Sequence, residues 1–148
     1  MTRLADVVER AVAELRHRPS GLCTDFDGTL SRIVPSADEA RLAPGVREAL
    51  ARLVRQLDVV AVITGRSVED VRQRVGLGEL VYVGNHGLER WESGRHWIDP
   101  EALAYVPRLE RVARAVSRQA RSPGVVDEFK GLTLSVHYRM AERPDEVE

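Results

Sequence analysis

Hydrophobic positions in the first hundred residues follow two rhythms in turn. Leu4, Val7, Val8, Ala11, Val12 and Leu15 recur every three or four residues with charges between them, which predicts an amphipathic helix over residues 2–16, stopped by Pro19, Ser20 and Gly21. The short apolar run at residues 22–24, ending on Asp25, predicts a buried strand. Residues 28–43 carry neither period and include Pro35, so they read as loop. Pro44 opens a second helix to residue 57, with Val46, Ala49, Leu50, Leu53 and Leu57 on one face. Residues 59–63 are all apolar and mostly β-branched, the pattern of a parallel strand covered on both faces. Ser67 caps a helix to residue 75, with Asp70 as capping-box partner, and residues 80–83 form a third buried strand. Strand and helix alternating with short connections predict an α/β sheet with right-handed crossovers.

Beyond Gly84 the pattern changes. Residues 88–91 and 95–98 flank Ser93-Gly94 as a hairpin. Asp99-Pro100 opens a helical stretch that Pro107 breaks or restarts, with Leu109, Val112, Ala113 and Val116 as its apolar face. The arginines at 108, 111, 114 and 118 lie around the rest of it as a solvated surface. Residues 125–128 and 132–138 predict an antiparallel hairpin through Gly131, with Leu132, Leu134, Val136 and Tyr138 on a covered face and Thr133, Ser135, His137 and Arg139 on a polar one. A helix followed by such a hairpin is a different unit from the parallel sheet, so two domains are expected, residues 1–98 and 99–148. The tail from residue 141 is charged and reads as loose.

Composition narrows the function. A chain of 148 residues with 43% hydrophobic and 30% charged residues is ordinary globular material. Its formal net charge of −1 offers no field to draw in nucleic acid or an acidic membrane. The first 18 residues contain no continuous apolar stretch of signal-peptide or membrane length. The single cysteine, Cys23, sits in an apolar run and is expected to be buried and inert, in keeping with a reducing, cytoplasmic setting.

Chemistry concentrates at the ends of the predicted strands. Asp25-Phe26-Asp27-Gly28-Thr29-Leu30 follows the first, where open α/β sheets present side chains to a crevice. Two carboxylates there suit a hard cation and an attack on an electrophile; Asp-Gly by itself is also a common turn. Thr64-Gly65-Arg66 follows the second strand and leads into a helix N-terminus, a setting that suits an anion. Gly84-Asn85-His86-Gly87-Leu88-Glu89 follows the third. Glu128-Phe129-Lys130 and His137-Tyr138-Arg139 flank the last hairpin turn. Glutamate and lysine there offer an acceptor and a donor side by side, and Lys130 is the only lysine in the chain. For Arg66 a structural salt bridge is the competing role, and for His86, His137 and Arg139 a structural hydrogen bond.

Together these motifs resemble the trehalose-6-phosphate phosphatase family of the haloacid dehalogenase superfamily, over about residues 22–139. The resemblance implies an α/β fold with a Rossmann-type parallel sheet, followed by the beginning of an α+β sugar-binding cap. It makes Asp25 the nucleophile that forms an aspartyl-phosphate and Asp27 the general acid/base, with Mg²⁺ held by the Asp25 carboxylate and the Asp27 main-chain carbonyl. Thr64 and Gly65 would hold the phosphoryl group. Arg66 and His86 would line the substrate pocket, and Glu128 and Lys130 would contact the sugar phosphate. The family's later lysine and acidic pair have no counterpart here. Asp145, Glu146 and Glu148, in the tail, are poor replacements. The chain therefore reads as C-terminally truncated, with a complementing C-terminal half as a candidate partner. The alternatives are an inactive or split fragment, a regulatory module that binds phosphate without turnover, and a phosphatase for another sugar phosphate.

Overall fold

The structure is a computed structural model that describes residues 3–119, 123–138 and 140–142. It divides into two compact units, Met1–Trp97 and Ile98–Glu148.

The first unit begins with α1 (Leu4–Glu14) and β1 (Gly21–Thr24), then α2 (Val46–Val54), β2 (Val59–Ile63), α3 (Val68–Val75), β3 (Val81–Gly84), β4 (Glu89–Glu92) and β5 (Arg95–Ile98). The five strands form one sheet in the order β1-β2-β3-β4-β5. β1 pairs with β2 and β2 with β3 in parallel, with Thr24 beside Val62 and Ile63 beside Val83. β4 then runs antiparallel to β3, so the predicted hairpin extends the parallel sheet. Its turn uses positive φ at both Ser93 and Gly94, the twist that two-residue hairpins favour.

Phe26, Leu50, Val60, Val62, Val68, Val71, Val75, Leu80 and Tyr82 form the core of this unit. A fully buried side chain of this kind contributes about 1.5–3 kcal/mol; α3 supplies Val68, Val71 and Val75, and the predicted apolar face of α2 supplies Leu50. Ser67 caps α3 by accepting from the Asp70 amide at 3.2 Å, and Gly76, at φ 69°, ends it. The Asp70 carboxylate is turned instead to Arg66 and Arg74. α2 starts at Val46, after Gly45 at φ 80°, and not at Pro44.

Two expectations about burial need correction. β2 is covered at Val60, Ala61 and Val62, but Val59 and Ile63 at its ends are 45% and 44% exposed. Cys23 is exposed, because β1 is the outer strand of the described sheet and pairs only with β2. The periodicity of α1 is real, yet none of its residues is buried and Leu4 is 80% exposed.

The second unit contains α4 (Pro100–Gln119) and the antiparallel pair β6 (Val126–Phe129) and β7 (Leu134–His137). α4 runs unbroken through Pro107, which removes one N–H from the helix ladder without ending it. Ala113 is its buried contact. The hairpin turn closes with the Lys130 amide donating to the Thr133 carbonyl at 2.9 Å. The alternation expected of β7 is not expressed as one covered face: Val136 is 40% exposed, while Ser135 opposite Glu128 is half-buried. A pair of strands is too narrow to cover a face by itself.

Candidate active site

The parallel register brings the segments after β1 and β2 to the same edge of the sheet. After Thr24 the chain turns tightly around Phe26. The Phe26 ring is fully buried, and its carbonyl accepts from the amides of Leu30 and Ser31 at 3.0 and 2.9 Å. The two acids flanking Phe26 differ in their partners. Asp25 is exposed, and its Oδ1 accepts from the Phe26 amide at 2.7 Å. Asp27 is held by Arg66, whose Nε and Nη2 donate to its two carboxylate oxygens at 2.8 Å each.

Arg66 is the hub of this edge. Its Nη1 donates to Asp70 at 2.8 Å and its Nη2 to the Ala37 carbonyl at 2.9 Å. Its guanidinium carbon lies 5.3 Å from the centre of the Phe26 ring. Burial alone would lower its pKa, but the hydrogen bonds it donates to the Asp27 and Asp70 carboxylates outweigh that and raise it above its ordinary value. Burial likewise works against the charge on Asp70, and the bonds from Arg74 and Arg66 overcome it, so its carboxyl stays below the usual range. Asp70 was legible only as a capping partner, although Arg66, Asp70 and Arg74 at intervals of four are the spacing of helix ion pairs.

Thr64 is buried, with 5% of its surface exposed. Its amide donates to the Val83 carbonyl at 2.9 Å, and its Oγ1 accepts from the Arg66 amide at 3.2 Å. The segment after β3 continues this ladder: the His86 amide donates to the Thr64 carbonyl at 3.2 Å and the Asn85 amide to the Arg66 carbonyl at 2.8 Å. Two glycines permit the approach. A Cβ on Gly65 would lie 2.5 Å from Cε1 of the His86 ring, and one on Gly84 would lie 2.6 Å from the Val68 amide nitrogen. His86 itself is exposed. Asp25, Asp27, Thr64, Gly65, Arg66 and His86 thus lie on three consecutive loops at the carboxyl ends of parallel strands.

Glu128 and Lys130 lie in the second unit. Lys130 Nζ is 3.3 Å from Glu128 Oε2, which is also 3.0 Å from His137 Nε2. Burial opposes the charge on Glu128, and the bonds from His137 and Lys130 overcome it, holding its carboxyl below the usual range. Arg139, Asp145, Glu146 and Glu148 lie outside the described residues.

No group of three acidic, histidine or cysteine side chains that could hold a metal occurs among the described residues. With Asp27 engaged by Arg66, the donors offered to a cation are the Asp25 carboxylate and main-chain carbonyls. That set fits Mg²⁺, which commonly takes only one or two protein carboxylates and completes its shell with water and substrate phosphate. No described helix is long and apolar enough to cross a membrane.

Comparison with known proteins agrees with this architecture. A crystal structure of a trehalose-6-phosphate phosphatase related protein superimposes with a TM-score of 0.76 at 21% identity, covering 86% of this chain and 56% of that one. The C-terminal domain of Candida albicans trehalose-6-phosphate phosphatase superimposes with a TM-score of 0.68 at 21% identity, covering 82% and 43%. Fold and strand-end loops together define an α/β protein whose candidate site lies at the carboxyl ends of parallel strands. Among relatives, the trehalose-phosphate phosphatase of Mycobacterium tuberculosis is 46% identical over 121 residues, 80% of this chain and 31% of that protein. That of Mycobacterium leprae is 37% identical over 147 residues, 97% of this chain and 34% of that protein. The trehalose-phosphatase family model matches residues 23–147, and the chain belongs to that family. It spans about a third of the length of these relatives.

Proposed function

We propose that this chain carries the nucleophile and phosphate cradle of a Mg²⁺-dependent phosphatase that hydrolyses trehalose 6-phosphate in the cytoplasm. The observation that carries the reading is the double hydrogen bond from Arg66 to Asp27, at 2.8 Å on each side. It ties the loop of one strand to the loop of the next.

The exposed Asp25 attacks phosphorus, the sugar oxygen leaves, and an aspartyl-phosphate remains. When protonated, Asp27 gives up one of its two Arg66 contacts and passes the proton to the leaving oxygen; ionised again, it takes one from the water that hydrolyses the acyl phosphate. The Thr64 hydroxyl and Gly65 amide hold the phosphoryl oxygens at the entry to α3. Arg66 keeps Asp27 in place, and His86 flanks the phosphate. The Asp25 carboxylate and the Asp27 main-chain carbonyl would hold Mg²⁺, which would supply positive charge against the phosphoryl oxygens. Glu128 and Lys130 contact the sugar. The test is Mg²⁺-dependent phosphate release from trehalose 6-phosphate, with Asp25→Asn as control. Activity that survives this substitution refutes the nucleophile, and a preference for a glucosyl-glycerate or sucrose ester overturns the trehalose assignment.

A second reading, that turnover needs a complementing C-terminal half, is favoured by the outer position of β1 and its exposed Cys23. Under it the chain alone binds phosphate without releasing product, and adding the remaining segment of a family-length protein restores hydrolysis.

A further inference from the structure

The three-residue turn after β3 is held in a backbone conformation that its side chains resist. Asn85, His86 and Gly87 take φ of 47°, 59° and 100° in succession, and two of them carry a Cβ. Non-glycine residues stay in this left-handed region only where their surroundings fix them. The fixing group here is Glu89, whose carboxylate is buried with 5% of the residue exposed. Its Oε1 accepts from the Asn85 side-chain amide at 2.5 Å and from the Val68 main-chain amide at 2.9 Å. Its Oε2 is hydrogen-bonded to His96 Nε2 at 2.7 Å. One side chain therefore braces the turn against the first residue of α3 and against β5.

That turn is the lid over the second loop. Asn85 and His86 donate their amides to the carbonyls of Arg66 and Thr64, and the His86 ring covers Gly65, lying 2.5 Å from where a Cβ would stand. We propose that Glu89 is a positioning residue for phosphate binding: through the Asn85–Gly87 turn it sets where His86 and the Gly65 amide stand. The proposal rests on the assignment of phosphate to Thr64 and Gly65, but its structural half is separable from it.

The experiment is amide NMR of the full chain with and without inorganic phosphate, on wild type, Glu89→Ala, Glu89→Gln and His96→Ala. Glu89→Ala is expected to move the Gly65, Asn85 and His86 amide signals before any phosphate is added. It should also weaken phosphate binding roughly tenfold or more, in the range that loss of an orienting partner costs. Glutamine keeps an acceptor for Val68 and Asn85 and a donor for His96, so Glu89→Gln should restore most of both. Unmoved Gly65 and His86 signals in Glu89→Ala overturn the proposal. Should that variant fail to fold, His96→Ala decides: it removes one brace at a solvent-facing position, so shifts reaching His86 and Gly65 support the proposal and shifts confined to β4 and β5 overturn it. A wild-type chain in which phosphate moves no signal at Thr64 or Gly65 sinks the phosphate assignment, while the ligand-free shifts still judge the role of Glu89.

Discussion

Arg66 lays its guanidinium across both carboxylate oxygens of Asp27, 39 residues away in sequence, with each contact at 2.8 Å. The pair joins the first two strand-end loops, and Asp70 holds the far side of the same guanidinium. A planar fork suits this, because it offers two parallel N–H donors on separate nitrogens, whereas an ammonium has one nitrogen for both oxygens.

Replacing Arg66 therefore tests the joint directly. Arg66→Ala strips Asp27 and Asp70 of a shared partner, and its cost is expected at about 1–3 kcal/mol, moderated because Asp27 is half exposed. Arg66→Lys should recover part of that stability while leaving Asp27 loosely held. Chemical denaturation gives the stabilities. In a system that turns over, hydrolysis should fall in Arg66→Lys by more than the stability loss explains. Equal stabilities for the wild type and Arg66→Ala would show that the fork adds nothing to the fold.

Stability should also depend on pH through Asp70. Its carboxyl lies below the ordinary value of 3.8, so the unfolded chain binds the proton more readily than the folded one. The stabilisation is thus complete above that ordinary value and is lost as pH falls through the lower, folded-state value. Asp70→Asn should be less stable than wild type at neutral pH and should lose this part of the acid response. Parallel acid-unfolding curves for the two proteins would contradict the ion-pair account.

Gly65 and Gly84 separate two kinds of crowding. A Cβ at 84 meets backbone, the Val68 amide nitrogen at 2.6 Å and the Arg66 carbonyl oxygen at 2.8 Å, and neither can move without opening α3. Gly84→Ala should cost about 3 kcal/mol. The atoms nearest a Cβ at 65 belong to the ring of the exposed His86, which can swing aside. Gly65→Ala should cost less than about 1 kcal/mol while shifting the His86 ring resonances. Thermal melts and histidine NMR together check the contrast.

What the sequence disclosed depended on how local the signal was. The strands at 22–24, 59–63 and 80–83, and the helix capped by Ser67, are written in consecutive residues, and they place Asp25 and Thr64 at strand ends. Arg66 was readable as a pocket or ion-pair residue, but its choice of Asp27 was not, because a pair 39 residues apart is fixed by sheet register. The capping-box reading of Asp70 failed for a related reason: the box needs its carboxylate, and two arginines compete for it. The bracing by Glu89 depends on His96, which comes within reach only once the hairpin has joined the sheet. Burial was the weakest inference, since period reports which side of a helix or strand is apolar and says nothing of what covers it. α1 and β1 show the difference.

Cys23 turns that difference into a measurement. Its apolar neighbours at 22–24 argued for a buried thiol, yet it stands exposed on β1, the outer strand of the described sheet. An accessible thiol reacts with an aromatic disulfide reagent without prior unfolding, whereas a buried one waits for an opening event. The native chain should therefore be labelled in buffer at a rate close to that of the chain in denaturant. If a complementing segment completes the sheet, adding it should slow labelling at Cys23 in proportion to any hydrolysis it restores, because both follow from covering the same strand. Labelling that needs denaturant in the isolated chain would mean that something already covers β1, and would remove the support this strand gives to a missing partner.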